Sequence, residues 1–273
     1  MLGGMSRPCL VLRVFTRDGE GGNHLGVISD VIELDPATMQ RIAADLGFSE
    51  SIFIEWQEPD RAAVRIFTPT IEMPFAGHHP LVGATWALHT LGPGGVTTLR
   101  CLTGDVAIGM EGSTAFFERP VDPSLAEAVD LSGHAVDAGM PRPVAGWQVA
   151  MPRVYTLLEY PDAATVASLQ PDMEALTAAE AETLVFARSG GMIKARFFAP
   201  AAGVPEDPAT GSAAVALAMS RMMEGEGRGT LTIDQGDEIG HPSRIHLSWW
   251  EATVRVAGEC VHDETRLLED GTG

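Results

Sequence analysis

The chain has 273 residues, 45% of them apolar and 20% charged, so it can bury a substantial core and does not read as disordered. Its 37 acidic and 18 basic side chains give a formal net charge of −19. Such a surface repels phosphate backbones and anionic lipid, so neither nucleic acid nor a membrane surface is an expected partner.

The length allows one large domain or two smaller ones. Cys9, Cys101 and Cys260 are scattered and odd in number, with no CxxC or zinc-type spacing, so no disulfide framework is expected. The apolar stretch in "MLGGMSRPCLVLRVF" is too short for a signal-peptide core and is interrupted by an arginine. No run of about 18 apolar residues follows. These features predict a cytoplasmic protein.

In chain order, "PCLVLRVFT" predicts a strand, ended by the Gly-rich "DGEGGN". "DPATMQRIAADLG" predicts a helix with Asp35 as N-cap, Pro36 at the first helical position and Gly47 as the left-handed stop. Met39, Ile42, Ala43 and Leu46 form its apolar face. "FSESIFIEW" and "AAVRIF" predict two strands. In the second half "VYTLLEY" reads as a strand, "PDMEALTAAEAE" as a helix, and "TLVFARS" and "KARFFA" as strands. Pro120 and Pro123 mark the expected boundary, with an N-terminal half over 1–120 and a C-terminal half over 121–273 whose last strand can return to the first half.

One unit occurs twice. "RIFTP" at 65–69 matches "RFFAP" at 196–200, and each precedes a Gly/Pro-rich loop and a small-residue helix, "PLVGATWALHTL" or "GSAAVALAMSRMM". Gly77 lies 12 residues after Arg65, and Gly211 lies 15 after Arg196. A helix that starts on small residues presents free backbone N–H groups, which suit a small anionic ligand even on an acidic protein. The alternative is that these glycines only permit tight turns.

In "EDPATGSAA", Asp207 can be a site carboxylate or an N-cap with Pro208 at the first helical position, and Ser212 a site hydroxyl or a helix-start one. Glu50 in "GFSESIF" is either an exposed turn residue or a carboxylate hemmed in by Phe48, Ile52 and Phe53. The second setting desolvates it and favours its taking up a proton.

The blocks "VFT…GGNHLGVI", "GFSESIFI", "RIFTPTIEMPFAGHHPLVGATWAL", "RFFAPAAGVPEDPATGSAA" and "IDQGDEIGHPSRI" occur in order over nearly the whole chain. They resemble the signature blocks of the phenazine-biosynthesis PhzF-like isomerase family. The resemblance implies an α+β, diaminopimelate-epimerase-like fold: two pseudo-symmetric halves, each a curled, mostly antiparallel sheet around a central helix. It also implies a homodimer and a proton-shuttling glutamate at Glu50. The family's "GH" histidine falls on Gly77-His78, its aspartate and serine on Asp207 and Ser212, and its "GN" on Gly22-Asn23. The sequence departs from the family at His24, in the doubled "GHHP" and at His241. Aligned from the left the family histidine is His78, and aligned from the right it is His79. We place it at His78, directly after the junction glycine, with His79 as the alternative.

The expected function is therefore cofactor-free isomerisation of a small carboxylate-bearing molecule, without a metal. Glu50, His78 and Asp207 are the catalytic candidates. Asn23, Gly77, His79, Gly211 and Ser212 are the substrate-binding ones. Only the first half is expected to carry the glutamate, because the matching strand reads "TLVFARS". A two-base epimerase and a non-catalytic small-acid binding protein are the rivals. The resemblance to epimerases of this fold would place a cysteine before each junction glycine, and these positions are Ala76 and Thr210, so a two-cysteine racemase is not expected. A metal site from His24, one of the histidine pair and His241 lacks supporting carboxylates.

Overall fold

The computed structural model describes residues 6–29, 31, 34–73, 78–92 and 94–269. The chain divides into two compact units, one of residues 1–19, 23–118 and 258–273 and the other of residues 20–22 and 119–257.

In the first unit the β-branched N-terminal run forms β1 (Ser6–Thr16), which pairs antiparallel with β2 (Asn23–Ser29). The crossover α1 (Pro36–Leu46) has the expected punctuation: the Asp35 carboxylate accepts from Thr38 N–H, and Gly47 stops the helix at φ 68°. Its apolar face carries Met39, Ile42 and Ala43 onto a core with Phe53 and Phe67. The chain then enters β3 (Glu50–Glu58), parallel to β2, and returns as β4 (Arg61–Phe67) and the two-residue β5 (Glu72–Met73). After α2 (His78–Thr90), β6 (Thr98–Cys101) lies parallel to β4, followed by the antiparallel β7 (Gly104–Glu111) and β8 (Thr114–Pro120).

The second unit follows the same order. β9 (Ala126–Ala128) and α3 (Ser132–Asp137) lead into the hairpin β10 (Ala145–Ala150) and β11 (Val154–Glu159). Two short helices, α4 (Ala163–Ser168) and α5 (Met173–Ala178), make the crossover to β12 (Glu182–Ser189), which is parallel to β11. β13 (Met192–Ala199) and the short β14 (Val204–Asp207) precede α6 (Gly211–Met223). β15 (Arg228–Gln235) lies parallel to β13, and β16 (Ser243–Trp250) pairs with it. In β17 (Thr253–Glu269) the first residues pair with β16, and the residues from Glu259 onward pair with β1.

Two of the helices are apolar on every side, as a helix enclosed by its sheet must be. In α2, Leu81, Val82, Ala84, Thr85 and Leu88 are buried against β1, β2, β3 and β7. Gly83 permits the close approach, since a Cβ there would lie 2.3 Å from Leu25 and 2.9 Å from Val14. Residues 213–221 of α6 are all buried, and the helix packs on β9, β10, β11 and β16. Burying each large aliphatic side chain contributes about 1.5–3 kcal/mol. These two buried helices fix the junctions at which the candidate residues sit.

Candidate active site

In the first unit, the Gly47 stop delivers the chain to Glu50, the first residue of β3, opposite Leu25 of β2. The second residue of α2 reaches it: His79 Nδ1 lies 2.8 Å from Glu50 Oε2. The two side chains are only 5% and 13% exposed, so the contact is largely screened from water. Ser49, just before Glu50, donates its hydroxyl to Asn23 Oδ1 at 3.2 Å, and Asn23 is itself buried at the start of β2. Two polar pairs, Glu50–His79 and Ser49–Asn23, thus lie at the starts of β2, β3 and α2. The histidine joined to Glu50 is the one that the sequence left as the alternative. His78 opens α2, but its side chain lies outside the described residues, as does Gly77.

In the second unit, Asp207 is not the N-cap of α6, and Pro208 does not open the helix. Asp207 still pairs with Phe197 at the end of β14, and α6 starts three residues beyond Pro208, at Gly211, with Thr210 as its N-cap. The Thr210 hydroxyl donates to Asp207 Oδ2 in a short hydrogen bond. Gln235, at the end of β15, donates to the Asp207 carbonyl at 2.7 Å and to Thr210 Oγ1 at 3.0 Å. Gly211 is buried and Ser212 half-buried in the first turn of α6.

The duplication extends to side chains. Arg65 makes a two-pronged pair with Glu72, both contacts 2.6 Å, with its guanidinium 5.4 Å from the Phe67 ring. Arg196 does the same with Glu206, at 2.9 and 2.8 Å, and lies 5.0 Å from Phe198. Strand register makes the match explicit: Ser51 pairs with Phe67 as Thr183 pairs with Phe198, and Ile66 with Met73 as Phe197 with Asp207. This register overturns the expectation that only one half carries the glutamate. β12 begins at Glu182, the counterpart of Glu50 one residue before Thr183, and Glu182 is bound by Arg153 Nη1 at 2.8 Å.

The cysteines offer no nucleophile. All three are buried. Burial pushes the Cys9 thiol up to about 11 and raises that of Cys260 further. Among the described residues no group of three or more metal-ligating side chains converges. His24 stacks on Phe48 and lies 3.8 Å from Asp263, while the backbone of His241 bonds to Gly236 and Ser243.

A family model described as "Phenazine biosynthesis-like protein" matches residues 12–266. The chain is 32% identical to the trans-2,3-dihydro-3-hydroxyanthranilate isomerase of Pseudomonas aeruginosa, over 96% of this chain and 97% of that one. Among solved structures, a phenazine biosynthesis protein of the PhzF family from Enterococcus faecalis aligns with a TM-score of 0.82 at 22% identity, covering 97% of this chain and 99% of that one. A predicted epimerase from Pseudomonas aeruginosa aligns at 0.70 and 26% identity, with the same coverage.

Proposed function

The chain belongs to the phenazine biosynthesis-like family, and from that premise we propose that it is a cofactor-free isomerase that moves a proton between carbons of a small, carboxylate-bearing substrate. The observation that carries this reading is the Glu50–His79 contact at 2.8 Å inside a mostly buried setting. With His79 Nδ1 holding Oε2, Oε1 takes a proton from a carbon activated by an adjacent unsaturated system and returns it to another carbon. The Nδ1 contact holds Oε2 while Oε1 accepts the proton and later returns it, so the carboxyl is neutral between the two transfers. A positioned acid–base group of this kind contributes roughly 10²- to 10⁴-fold in rate.

Asp207 stays a catalytic candidate through the family resemblance, while Gly211 and Ser212 are assigned to substrate binding, with the first turn of α6 presenting backbone N–H groups suited to a carboxylate. Thr210 stands where a cysteine racemase would place a thiol, and its hydroxyl already donates to Asp207. That arrangement speaks for a single shuttle and against two thiols facing one carbon. We read the two units as pseudo-symmetric copies; among the described residues the glutamate–histidine pair lies in the first.

The name of the relative supplies the first compound to try, trans-2,3-dihydro-3-hydroxyanthranilate, a ring acid with conjugated double bonds. Incubation in D2O followed by ¹H NMR should show isomerisation, with hydrogen lost at one ring carbon and gained at another. An epimerase would instead exchange a single stereocentre. Unchanged substrate spectra, or deuterium at one centre with no isomer formed, would overturn the proposal.

A further inference from the structure

The second unit contains a polar relay with no counterpart among the described residues of the first. Extending the strand register, Met73 in the first unit is matched by Asp207 in the second, and Cys101 at the end of β6 by Gln235 at the end of β15. Two apolar positions in one copy are thus a carboxylate and an amide in the other, and the amide bonds to the residue that carries the carboxylate. We propose that Gln235 is a positioning residue that fixes the Asp207 carboxylate through the Thr210 hydroxyl; its catalytic effect rests on the reaction proposed above.

Hydrogen-bond direction makes the case. The Asp207 carbonyl can only accept, so the Gln235 atom 2.7 Å away must be the amide nitrogen. The same NH2 group then donates to Thr210 Oγ1 at 3.0 Å. With that oxygen accepting from Gln235, the single hydroxyl proton of Thr210 is directed to Asp207 Oδ2. Gln235 is 1% exposed and Thr210 8%, so water does not reach the bond between them. A buried hydroxyl with its proton fixed holds one carboxylate oxygen in place and so sets the orientation of the whole group.

The segment after Gln235 supports the same placement. In the first unit β6 turns directly into β7, whereas in the second a loop, 236–242, is inserted between β15 and β16. Gly236 (φ 83°) lets that loop press on the Asp207 segment: a Cβ there would lie 2.7 Å from the Pro208 carbonyl and 2.3 Å from that of His241. Lys194 anchors the loop by ion pairs to Asp237 and Glu238, both at 2.8 Å. The inserted loop and Gln235 together hold the Asp207–Thr210 segment from one side.

The test uses the full chain and four variants: Gln235→Leu, Gln235→Glu, Thr210→Val and Thr210→Ser. Gln235→Leu and Thr210→Val should each lower kcat/KM for trans-2,3-dihydro-3-hydroxyanthranilate about 10- to 100-fold. Gln235→Glu, nearly the same shape but an acceptor when ionised, draws the Thr210 proton toward itself and should lose as much. Thr210→Ser should retain activity within about threefold, and the Gln235→Leu/Thr210→Val double variant should be no worse than either single one. A purely structural role would instead make the two losses multiply and would spare Gln235→Glu. The second arm needs no turnover: in the wild type the Thr210 hydroxyl proton should exchange slowly enough to be seen by NMR, and in Gln235→Leu it should vanish into solvent exchange. Full activity in Gln235→Leu, or a surviving hydroxyl signal, would overturn the proposal. An inactive wild type that shows the hydroxyl pattern would sink the assigned reaction and leave the relay standing.

Discussion

The starts of β3 and β12 are matched in strand register, and each holds a glutamate. Glu50 faces a buried histidine at 2.8 Å, whereas Glu182 faces Arg153, whose side chain is 48% exposed. The partner decides what each carboxylate can do. An arginine is a permanent cation that holds a carboxylate in a fixed ion pair. An imidazole N–H can hold one carboxylate oxygen and leave the other to accept and return a proton. The backbone supplies the position twice, and the residue packed against it makes one copy a candidate shuttle and the other a structural ion pair.

The sharpest way to break this contrast is to neutralise both glutamates. Glu50→Gln keeps the shape and removes the base, and isomerisation should fall about 10²- to 10⁴-fold. Glu182→Gln should leave turnover within about twofold. Equal losses, followed by ¹H NMR of the substrate, would show that Glu182 also takes part. Next in size is the histidine pair. His79→Asn removes the group that holds Glu50 Oε2 and should cost about 10- to 100-fold in kcat. His78→Asn should cost less, and a reversal of that order would return the role to His78.

The residues behind this comparison were unequally legible in the sequence. The Asp35, Pro36 and Gly47 signals read correctly because a helix end is a local affair of backbone angles and one side chain. The repeat "RIFTP"/"RFFAP" was legible because the duplicated Arg–Glu–Phe clusters constrain both copies. Glu182 was missed for a physical reason. "TAAEAE" is rich in the strong helix formers Ala and Glu, yet α5 ends at Ala178, Glu180 turns left-handed at φ 50°, and β12 starts at Glu182 by pairing with Tyr155 of β11. Tertiary pairing overrode propensity there. Gln235 was equally hidden, since its partners Asp207 and Thr210 lie 28 and 25 residues away in sequence.

The duplicated arginine pairs give a third, smaller contrast. Arg196 and Glu206 are 6% and 10% exposed, against 32% and 25% for Arg65 and Glu72. Glu206→Gln leaves a buried guanidinium without its counter-charge, although Leu169 O still accepts from Arg196 at 2.7 Å. It should cost about 3 kcal/mol in urea unfolding, while Glu72→Gln should cost about 1 kcal/mol or less. Equal costs would show that burial does not distinguish the two copies.

The smallest expected effect lies in the crossovers, one long helix in the first unit and two short ones in the second. The Thr38 N–H holds the Asp35 carboxyl below its ordinary range, and the Thr165 N–H does the same for Asp162 at the start of α4. A carboxyl lowered in the folded state adds stability above its unfolded pKa and loses it as pH falls through the folded value, here below about pH 4. Asp35→Ala and Asp162→Ala should therefore each unfold at lower temperature than the wild type at pH 7, with the gap closing in acid. The gap should be larger for Asp35, because α1 alone carries Met39, Ile42 and Ala43 onto the core. In the second unit α5 keeps its own cap, Asp172, which accepts from Glu174 and Ala175 N–H when Asp162 is gone. A gap that persisted undiminished at low pH would mean that the charge of these caps contributes nothing and that the substitutions act through the helix backbone alone.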